Sequence, residues 1–401
     1  MRFMKNNSDK LAVQFGAGNI GRGLMGHLFQ ESGFGTIFIR ANASLVEQLN
    51  SRGSYPLRLL DPYSRSIREL TVSGFKTLHT SQAFAIAEAI ANARIVATAV
   101  GMTNLHAVAP LLAAGIRCRF ECGAEPLDVY LCENMLGAAA MLSQEVLSLL
   151  DGPARAWAQD NIGFVGTSFS GIVGGPAVRS PDDDPLLVVA DTHRDVPYDG
   201  PATRADRPDI QGFHPVSNFK AEVERKIFTN NVGHAGLAYL GYLRGHTCIH
   251  ETFDDNIVRS VFDGALDETT EALLRRYPAD LDRREHVEFR QDVNVRFSNP
   301  LLKDAITRVA RDPIRKLGRD DRIVGAAELC RSQGVAPDHI ATICAAALRY
   351  DCPDDPHAVQ LQTLIREQGV AKTLEQISGV EPTSAFSRQV IAQYHLLRLL
   401  R

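Results

Sequence analysis

Several classes of protein are excluded by what this chain has little of. It has no long apolar run. The longest weakly polar stretch, Phe84–Val100, is broken by Glu88, Asn92 and Arg94, so it is not a membrane span. Neither sign of charge dominates: 43 basic against 47 acidic residues leave a net charge of −4. That is not the electrostatic footprint of a nucleic-acid binder. A small anionic substrate needs only a local basic pocket and is not excluded. Cysteines are few and odd in number, seven in all (Cys118, Cys122, Cys132, Cys248, Cys330, Cys344 and Cys352). The opening MRFMKNNSDKLAVQF lacks the apolar core and cleavage site of a secretory leader. Together these predict reduced thiols and a cytoplasmic location. There is no internal repeat and no low-complexity segment.

What is present is an ordinary globular composition, 45% hydrophobic and 22% charged, over 401 residues. That length predicts two domains. In the first part, strands alternate with helices. Leu11–Phe15, Thr36–Arg40, Arg94–Val100, Arg117–Cys122 and Ile162–Val165 read as strands. Asn19–Glu31, Ser44–Ser51, His106–Ala114 and Leu131–Leu150 read as helices. This alternation predicts a parallel, doubly wound α/β sheet of Rossmann type. From Ser180 to Asn218 the chain is rich in Pro, Asp and Gly, with an edge strand near Leu186–Ala190. After Phe219 helical periodicity runs almost to the end, including Phe219–Leu243, Asp254–Tyr277, Pro356–Gln368 and Val370–Ser378. The expected organisation is a dinucleotide-binding domain over 1–190, a linker over 191–217 and a mainly α-helical substrate domain over 218–401.

Gly16-Ala17-Gly18-Asn19-Ile20-Gly21 directly follows the first strand and opens a helix. The motif alone is weak, but this context is what dinucleotide binding needs. Gly16 permits a tight turn, Gly18 lets the backbone approach a pyrophosphate, and Gly21 lets helix and strand pack closely. The helix N-terminus then faces the phosphates. The second strand of such a fold commonly ends in Asp or Glu, which binds the adenine ribose hydroxyls. Here that position is Arg40. A guanidinium accepts a 2′-phosphate where a carboxylate repels it, so NADP is expected over NAD. A solvated surface arginine is the competing account.

In the helical part, EVERKIFTNNVGHAGLAYLGYLRG (222–245) places Lys226, Asn231 and His234 at i, i+5 and i+8. At 100° per residue they fall within roughly a 140° arc. A lysine of lowered pKa, an amide and an imidazole in one cleft suit metal-free proton transfer to or from a carbinol oxygen. Spacing alone is better met by a solvated face with Lys226 paired to Glu222. A zinc site finds little support. His246 and His250, and Cys118 and Cys122, do not form an HExxH or CxxC set, and the two cysteines fall on an expected buried strand. No metal is therefore expected.

The Lys-x4-Asn-x2-His pattern of Lys226, Asn231 and His234 resembles the signature of the polyol-specific long-chain dehydrogenases, in particular their mannitol-1-phosphate 5-dehydrogenase branch. Further matching stretches are QFGAGNIGRG, ATAVG (97–101), CENM (132–135), AYLGYLRGH (238–246), RFSNPLLKD (296–304), RDPIRKL (311–317), DRIVG (321–325) and LEQISG (374–379). They span essentially the whole chain in order. The resemblance implies a Rossmann domain and a largely helical domain with the active site between them. It also implies Lys226 as general acid/base, Asn231 and Asn134 holding the reacting oxygen, and His234 orienting substrate.

The chain departs from that pattern in three places. Arg40 stands where the family carries Asp. In FVGTSFSGIV (164–173), Gly166, Ser170 and Gly171 replace two acids and an arginine of a loop that helps form the family's substrate wall. DTHRDV (191–196) only faintly echoes the family's Glu-x-Phe-x-x-Trp. Gly171 in place of arginine is expected to open volume, with His193 or Arg194 as possible replacements for the lost contacts. Arg311 and Arg315, in a basic run with Arg308 and Lys316, are candidate ligands for a substrate phosphate; pairing with Asp304 and Asp312 is the alternative. The reaction expected is hydride transfer between a nicotinamide cofactor and a polyol or sugar, commonly phosphorylated, with altered substrate choice. The competing reading, prompted by the altered loop, is a non-catalytic dinucleotide-binding or sensor protein on the same scaffold.

Overall fold

The structure, a computed structural model, describes residues 10–133, 137–174, 180 and 182–400. It divides into two compact units, one comprising the chain to Asp61 and Ser66–Glu222, the other Pro62–Arg65 and Val223–Arg401.

The first unit is built on the strands β1 (Leu11–Phe15), β2 (Gly35–Arg40), β3 (Ser54–Leu60), β4 (Ile67–Ser73), β5 (Phe75–His79), β6 (Ile95–Thr98), β7 (Leu127–Leu131), β8 (Ile162–Gly166), β9 (Val188–Asp191), β10 (Val196–Asp199) and β11 (Phe213–Val216). A six-stranded sheet runs in the order β5-β2-β1-β6-β7-β8, all parallel. With β3 and β4 set aside, this is the dinucleotide-binding order, whose reversal point lies at β1 and β6. Alternation along the strands sorts side chains to two covered faces. Val13, Phe15, Val96, Val129 and Leu131 pack with Ile90, Leu112, Ile116 and Leu142. Ala12, Ile95, Ala97 and Tyr130 pack with Leu24, Met25, Leu28 and Phe29. Each such buried Val, Leu, Ile, Phe or Met side chain contributes about 1.5–3 kcal/mol. The antiparallel pair β3–β4, joined in parallel by β9, forms a separate three-stranded sheet, and β10 pairs with β11.

Two expectations are corrected here. Arg117–Cys122 is not a strand but the end of the helix Ala109–Cys122. The alternation Ile116, Cys118, Phe120, Cys122 imitates a strand. The buried set is instead Leu112, Ala113, Gly115, Ile116 and Arg119, a helical period. Buried Arg119 donates to the carbonyls of Ile90, Ala91 and Ala93, which no alternation reveals. The strand follows as β7. The helix expected from Leu131 begins only at Ala138, after Gly137 in the left-handed region at φ 77°, and runs to Ser148.

The second unit is helical. Its central helix, Val232–Leu243, is buried on nearly every side, as an all-round apolar sequence requires. A Cβ at Gly233 or Gly236 would lie 2.7 Å from Phe262 or Ile343. The helix Arg283–Phe297, rich in charge and without a clear apolar face, is not signalled by apolar periodicity. Gly369, at φ 81°, interrupts the helix Pro356–Ser378 where the sequence divides it. Among the described residues no helix is long and apolar enough to cross a membrane.

Candidate active site

In the first unit, the turn after β1 is closed by Gly16 N–H donating to Ile39 O at 2.9 Å. Gly16 takes φ 93°, and a Cβ there would lie 2.2 Å from Ala99 O. A Cβ at Gly21 would lie 1.9 Å from Gly16 O, so the helix is in direct contact with the turn that leaves β1. Gly18 differs: its missing Cβ points into open space, with no atom within 4 Å. This is the cradle a pyrophosphate needs, with its glycine face clear and a helix N-terminus behind it. The residues present therefore fit a dinucleotide. Asn19 and Ile20 offer it backbone only. Asn19 Nδ2 donates to Gly174 O at 3.0 Å, and Ile20 packs against the core. The helix continues as a π segment, Gly21–Gly26. Within it the buried Arg22 donates to Ala17 O and Leu186 O and lies over the Tyr55 ring, so its charge serves the scaffold.

Arg40 ends β2, half-buried. Its guanidinium has no hydrogen-bond or ion-pair partner among the described residues. Beside it Asn42 caps the helix Ala43–Arg52, accepting Leu45 N–H at 2.8 Å, and the first turn carries no acid. At the end of β6, the backbone N–H groups of Val100 and Gly101 both donate to the Glu133 carboxylate at 2.9 Å. Glu133 thus ties the turn after β6 to the end of β7. Its neighbour Asn134 lies outside the described residues.

Where the chain passes into the second unit, Phe219–Arg225 is α-helical, Lys226–Asn231 is a π segment and Val232–Leu243 is α-helical again. Val232 N–H reaches Ile227 O, five residues back. This changes the sequence-derived geometry. In an α-helix Lys226 and Asn231 are about 140° apart around the axis, whereas i→i+5 bonding stacks them nearly one above the other. His234 follows three residues on, on a neighbouring part of the same face. Lys226 is half-buried and Asn231 buried.

His234 is held from behind. Its Nε2 lies 3.0 Å from Asp304 Oδ2, and its ring stacks on Phe297 at 4.4 Å and 16°. Asp304 also accepts Arg308 Nε at 2.7 Å. Burial lowers the His234 pKa against the opposing pull of Asp304. Burial alone would raise the Asp304 carboxyl, but His234 and Arg308 bring it below its usual range. The imidazole is therefore neutral near pH 7. A carboxylate only accepts, so the ring proton sits on Nε2 and Nδ1 keeps its lone pair. Asp304, Phe297 and Arg296 all come from RFSNPLLKD. That stretch matched as a motif, but nothing in its spacing pointed to His234, seventy residues earlier in the case of Asp304.

The altered loop corrects a further expectation. Gly171 does not open volume: a Cβ there would lie 2.2 Å from the Phe169 ring and 2.9 Å from Asp191 Oδ1. Asp191 is itself fixed by the N–H groups of Ile172 and His193. Ser170 is buried. Arg194 is ion-paired with Glu31, and His193 packs against Phe169. The replaced positions are thus filled from within the unit.

The basic run separates in the same way. Arg308 pairs with Asp304, and Arg315 with Asp312 and Asp321. Lys316 is buried and donates to the carbonyls of Val309 and Arg311; burial, then Arg322 and Arg315, bring its ammonium down to about 7. Arg311 is exposed, with no side-chain partner among the described residues. Cys118 and Cys122 lie on the helix Ala109–Cys122, not on a strand. His246 Nε2 is 3.1 Å from Asp255, which also accepts Arg244.

Residues 10–212 match the family model for the mannitol dehydrogenase Rossmann domain, and residues 218–398 that for the mannitol dehydrogenase C-terminal domain. The chain is 37% identical over 383 residues to a mannitol-1-phosphate 5-dehydrogenase of Bacillus licheniformis, covering 95% of this chain and 99% of that one. It is 38% identical over 370 residues to one from Brevibacillus brevis, covering 92% and 94%. Its fold is shared with Pseudomonas fluorescens mannitol 2-dehydrogenase, solved as a ternary complex with NAD and D-mannitol (TM-score 0.77, 18% identity, 99% and 93% covered). It is also shared with a substrate-free D-sorbitol dehydrogenase (TM-score 0.80, 16% identity, 98% and 94% covered). With a clear pyrophosphate cradle in one unit, a lysine, asparagine and histidine on one face in the other, and both family models matched in order, the chain belongs to the mannitol dehydrogenase family, the nicotinamide-dependent oxidoreductases of polyol CH–OH groups.

Proposed function

We propose that the chain interconverts a polyol phosphate and its ketose phosphate, with Lys226 as the proton-transfer group and NADP(H) as the favoured cofactor. The observation that carries the chemistry is the π segment, which brings Lys226 and Asn231 into line. When bound at the Gly16–Gly21 turn, a nicotinamide cofactor would supply the hydride acceptor or donor. In oxidation, Lys226 takes the carbinol proton. The Asn231 amide donates to the oxygen as negative charge builds there, which is where a preorganised donor acts most strongly. His234 accepts a neighbouring hydroxyl hydrogen at Nδ1, its ring fixed by Asp304 and Phe297. Asn134 is proposed as a second holder of the oxygen, on the resemblance alone.

The preference for NADP(H) rests on Arg40, a cation without a partner among the described residues, beside a helix N-terminus. A phosphorylated substrate is supported by the two mannitol-1-phosphate 5-dehydrogenase relatives. Arg311 is the proposed phosphate ligand, since Arg308 and Arg315 are already paired. Ser170 and Gly171 are proposed to shape the wall without contributing a charge.

The test is a panel of fructose, fructose 6-phosphate, mannitol and mannitol 1-phosphate, followed by nicotinamide absorbance. Because the Gly171 position is walled by Phe169 and Asp191 and Ser170 is buried, the altered substrate choice expected from the loop is not carried forward, and the phosphorylated pair should react with kcat/KM of about 10⁴ M⁻¹s⁻¹ or more. Lys226→Ala should lower kcat by roughly 10²–10⁴ and remove an ionisation from the pH–rate profile while cofactor affinity holds. A Lys226→Ala enzyme with an unchanged profile would sink the assignment of the base.

A further inference from the structure

The proton-transfer segment carries two adjacent asparagines, Asn230 and Asn231, and only the second belongs to the pattern that singled the segment out. Both are buried, 6% and 7% exposed, and behind them lies Arg296, 1% exposed. The three side chains form one directed chain of hydrogen bonds. Arg296 Nε donates to Asp292 Oδ2 at 2.7 Å, and its Nη2 donates to Asn230 Oδ1 at 3.3 Å. Asn230 Nδ2 then donates to Asn231 Oδ1 at 3.0 Å.

The polarity of that chain follows from chemistry. An amide can usually turn over, exchanging its oxygen and nitrogen at little cost in shape. A guanidinium cannot accept, so the Asn230 group that faces Arg296 must be its oxygen. The Asn230 nitrogen is thereby turned to Asn231, and the Asn231 group that meets it must be its oxygen. The Asn231 NH₂ is left pointing away from the chain. We infer that Arg296 and Asn230 are positioning residues that lock the Asn231 amide with its NH₂ toward the reacting oxygen, an inference that rests on Asn231 being the donor to that oxygen. A buried guanidinium is expensive to desolvate, and an apolar side chain of similar volume would commonly serve stability as well. A fixed amide polarity is something no apolar residue supplies.

Asn230→Asp tests this with almost no change in shape. The carboxylate still accepts from Arg296 but offers Asn231 no donor. The Asn231 amide then turns its nitrogen inward and its oxygen toward the developing alkoxide. With the best substrate of the polyol and ketose phosphate panel, kcat should fall by roughly 10²–10³-fold, the cost of losing one such donor. KM for cofactor and Tm should stay near wild type. Asn231→Ala should lose a similar factor, and the double variant Asn230→Asp with Asn231→Ala should be no slower than Asn231→Ala alone, because both act through one amide. Arg296→Lys, still a donor-only cation, should keep most of kcat where Arg296→Met loses it. This pair carries the test if Asn230→Asp does not fold.

Four results overturn the proposal. Asn230→Asp at near wild-type kcat beside an impaired Asn231→Ala removes the relay and leaves the role of Asn231 standing. Multiplying losses in the double variant, or Arg296→Met as active as Arg296→Lys, does the same. Asn231→Ala at the wild-type rate removes the role of Asn231 and the relay with it.

Discussion

At the scale of single residues, the glycines of the cofactor turn are not interchangeable. Gly21 packs directly against Gly16 of the turn after β1, whereas Gly18 faces open space. Gly18→Val should therefore abolish nicotinamide-cofactor binding in calorimetry while Tm moves by only a few degrees, because its side chain fills the ligand's volume and nothing of the protein's. A Gly18→Val protein that binds cofactor normally would sink the proposed cradle. Arg40 makes a second residue-scale prediction. Wild type should bind NADPH more tightly than NADH, and Arg40→Asp should reverse the order, since the swap trades attraction of a 2′-phosphate for repulsion. A wild-type preference for NADH of tenfold or more, about 1.4 kcal/mol, would remove Arg40 as a phosphate ligand. Residue types and motif order were enough to find these positions. Their state was not: that Asn19 is tied to Gly174, or that Gly171 is walled by Asp191, depends on residues distant in sequence.

At the scale of elements, the Lys226–Asn231 segment is the informative case. A π turn behaves as a one-residue insertion in an α-helix. Deleting Thr229 should close it to α geometry with Lys226 four residues before the asparagine proposed to hold the substrate oxygen, about 40° away around the axis. That variant should lose stability, since Thr229 is fully buried, yet keep kcat within about tenfold, because the two side chains stay aligned. Inserting one alanine after Phe228 should swing Lys226 by about 100° and cost 10²-fold or more in kcat, with helix content retained. Equal losses in both variants, measured beside circular dichroism, would show that the turn does not serve alignment. The wrongly expected strand at 117–122 has the same origin as the unforeseen π turn. Both concern how backbone hydrogen bonds are spent, and a side-chain period constrains that only loosely.

At the scale of the whole molecule, buried titratable groups set how stability responds to pH. His286 is fully buried with Nε2 3.1 Å from Thr270 Oγ1, and burial, then Arg225, Arg290 and Arg283, push its pKa down to about 4 from 6.5. Between those values the unfolded chain binds more protons than the folded one, so stability rises with pH across the window. The contribution is complete above about pH 6.5 and is lost as pH falls toward 4, reaching about 3 kcal/mol. Urea unfolding of wild type and His286→Met from pH 4.5 to 7.5 checks this: the variant should show a flatter acid limb. Parallel slopes would exclude His286 as a source of acid sensitivity.

By itself the sequence determined the parallel sheet, the helical second part, the glycine turn after β1 and the Lys226, Asn231 and His234 pattern on which the proposed site rests. Each is a local pattern: a strand, glycine turn and helix in succession, a 3.6-residue period, or a short motif whose residues lie within two or three turns of one another. Only the tertiary structure decided which charges were already spent and how the site is held. Arg315 is paired and Arg311 exposed, Asp304 and Phe297 fix the His234 ring, and Arg296 reaches Asn230 from sixty-six residues away. The physical reason is range. Backbone preference and periodicity act between near neighbours, whereas an ion pair or buried hydrogen bond depends on where folding brings distant side chains, and many pairings of the same residue types satisfy the same sequence.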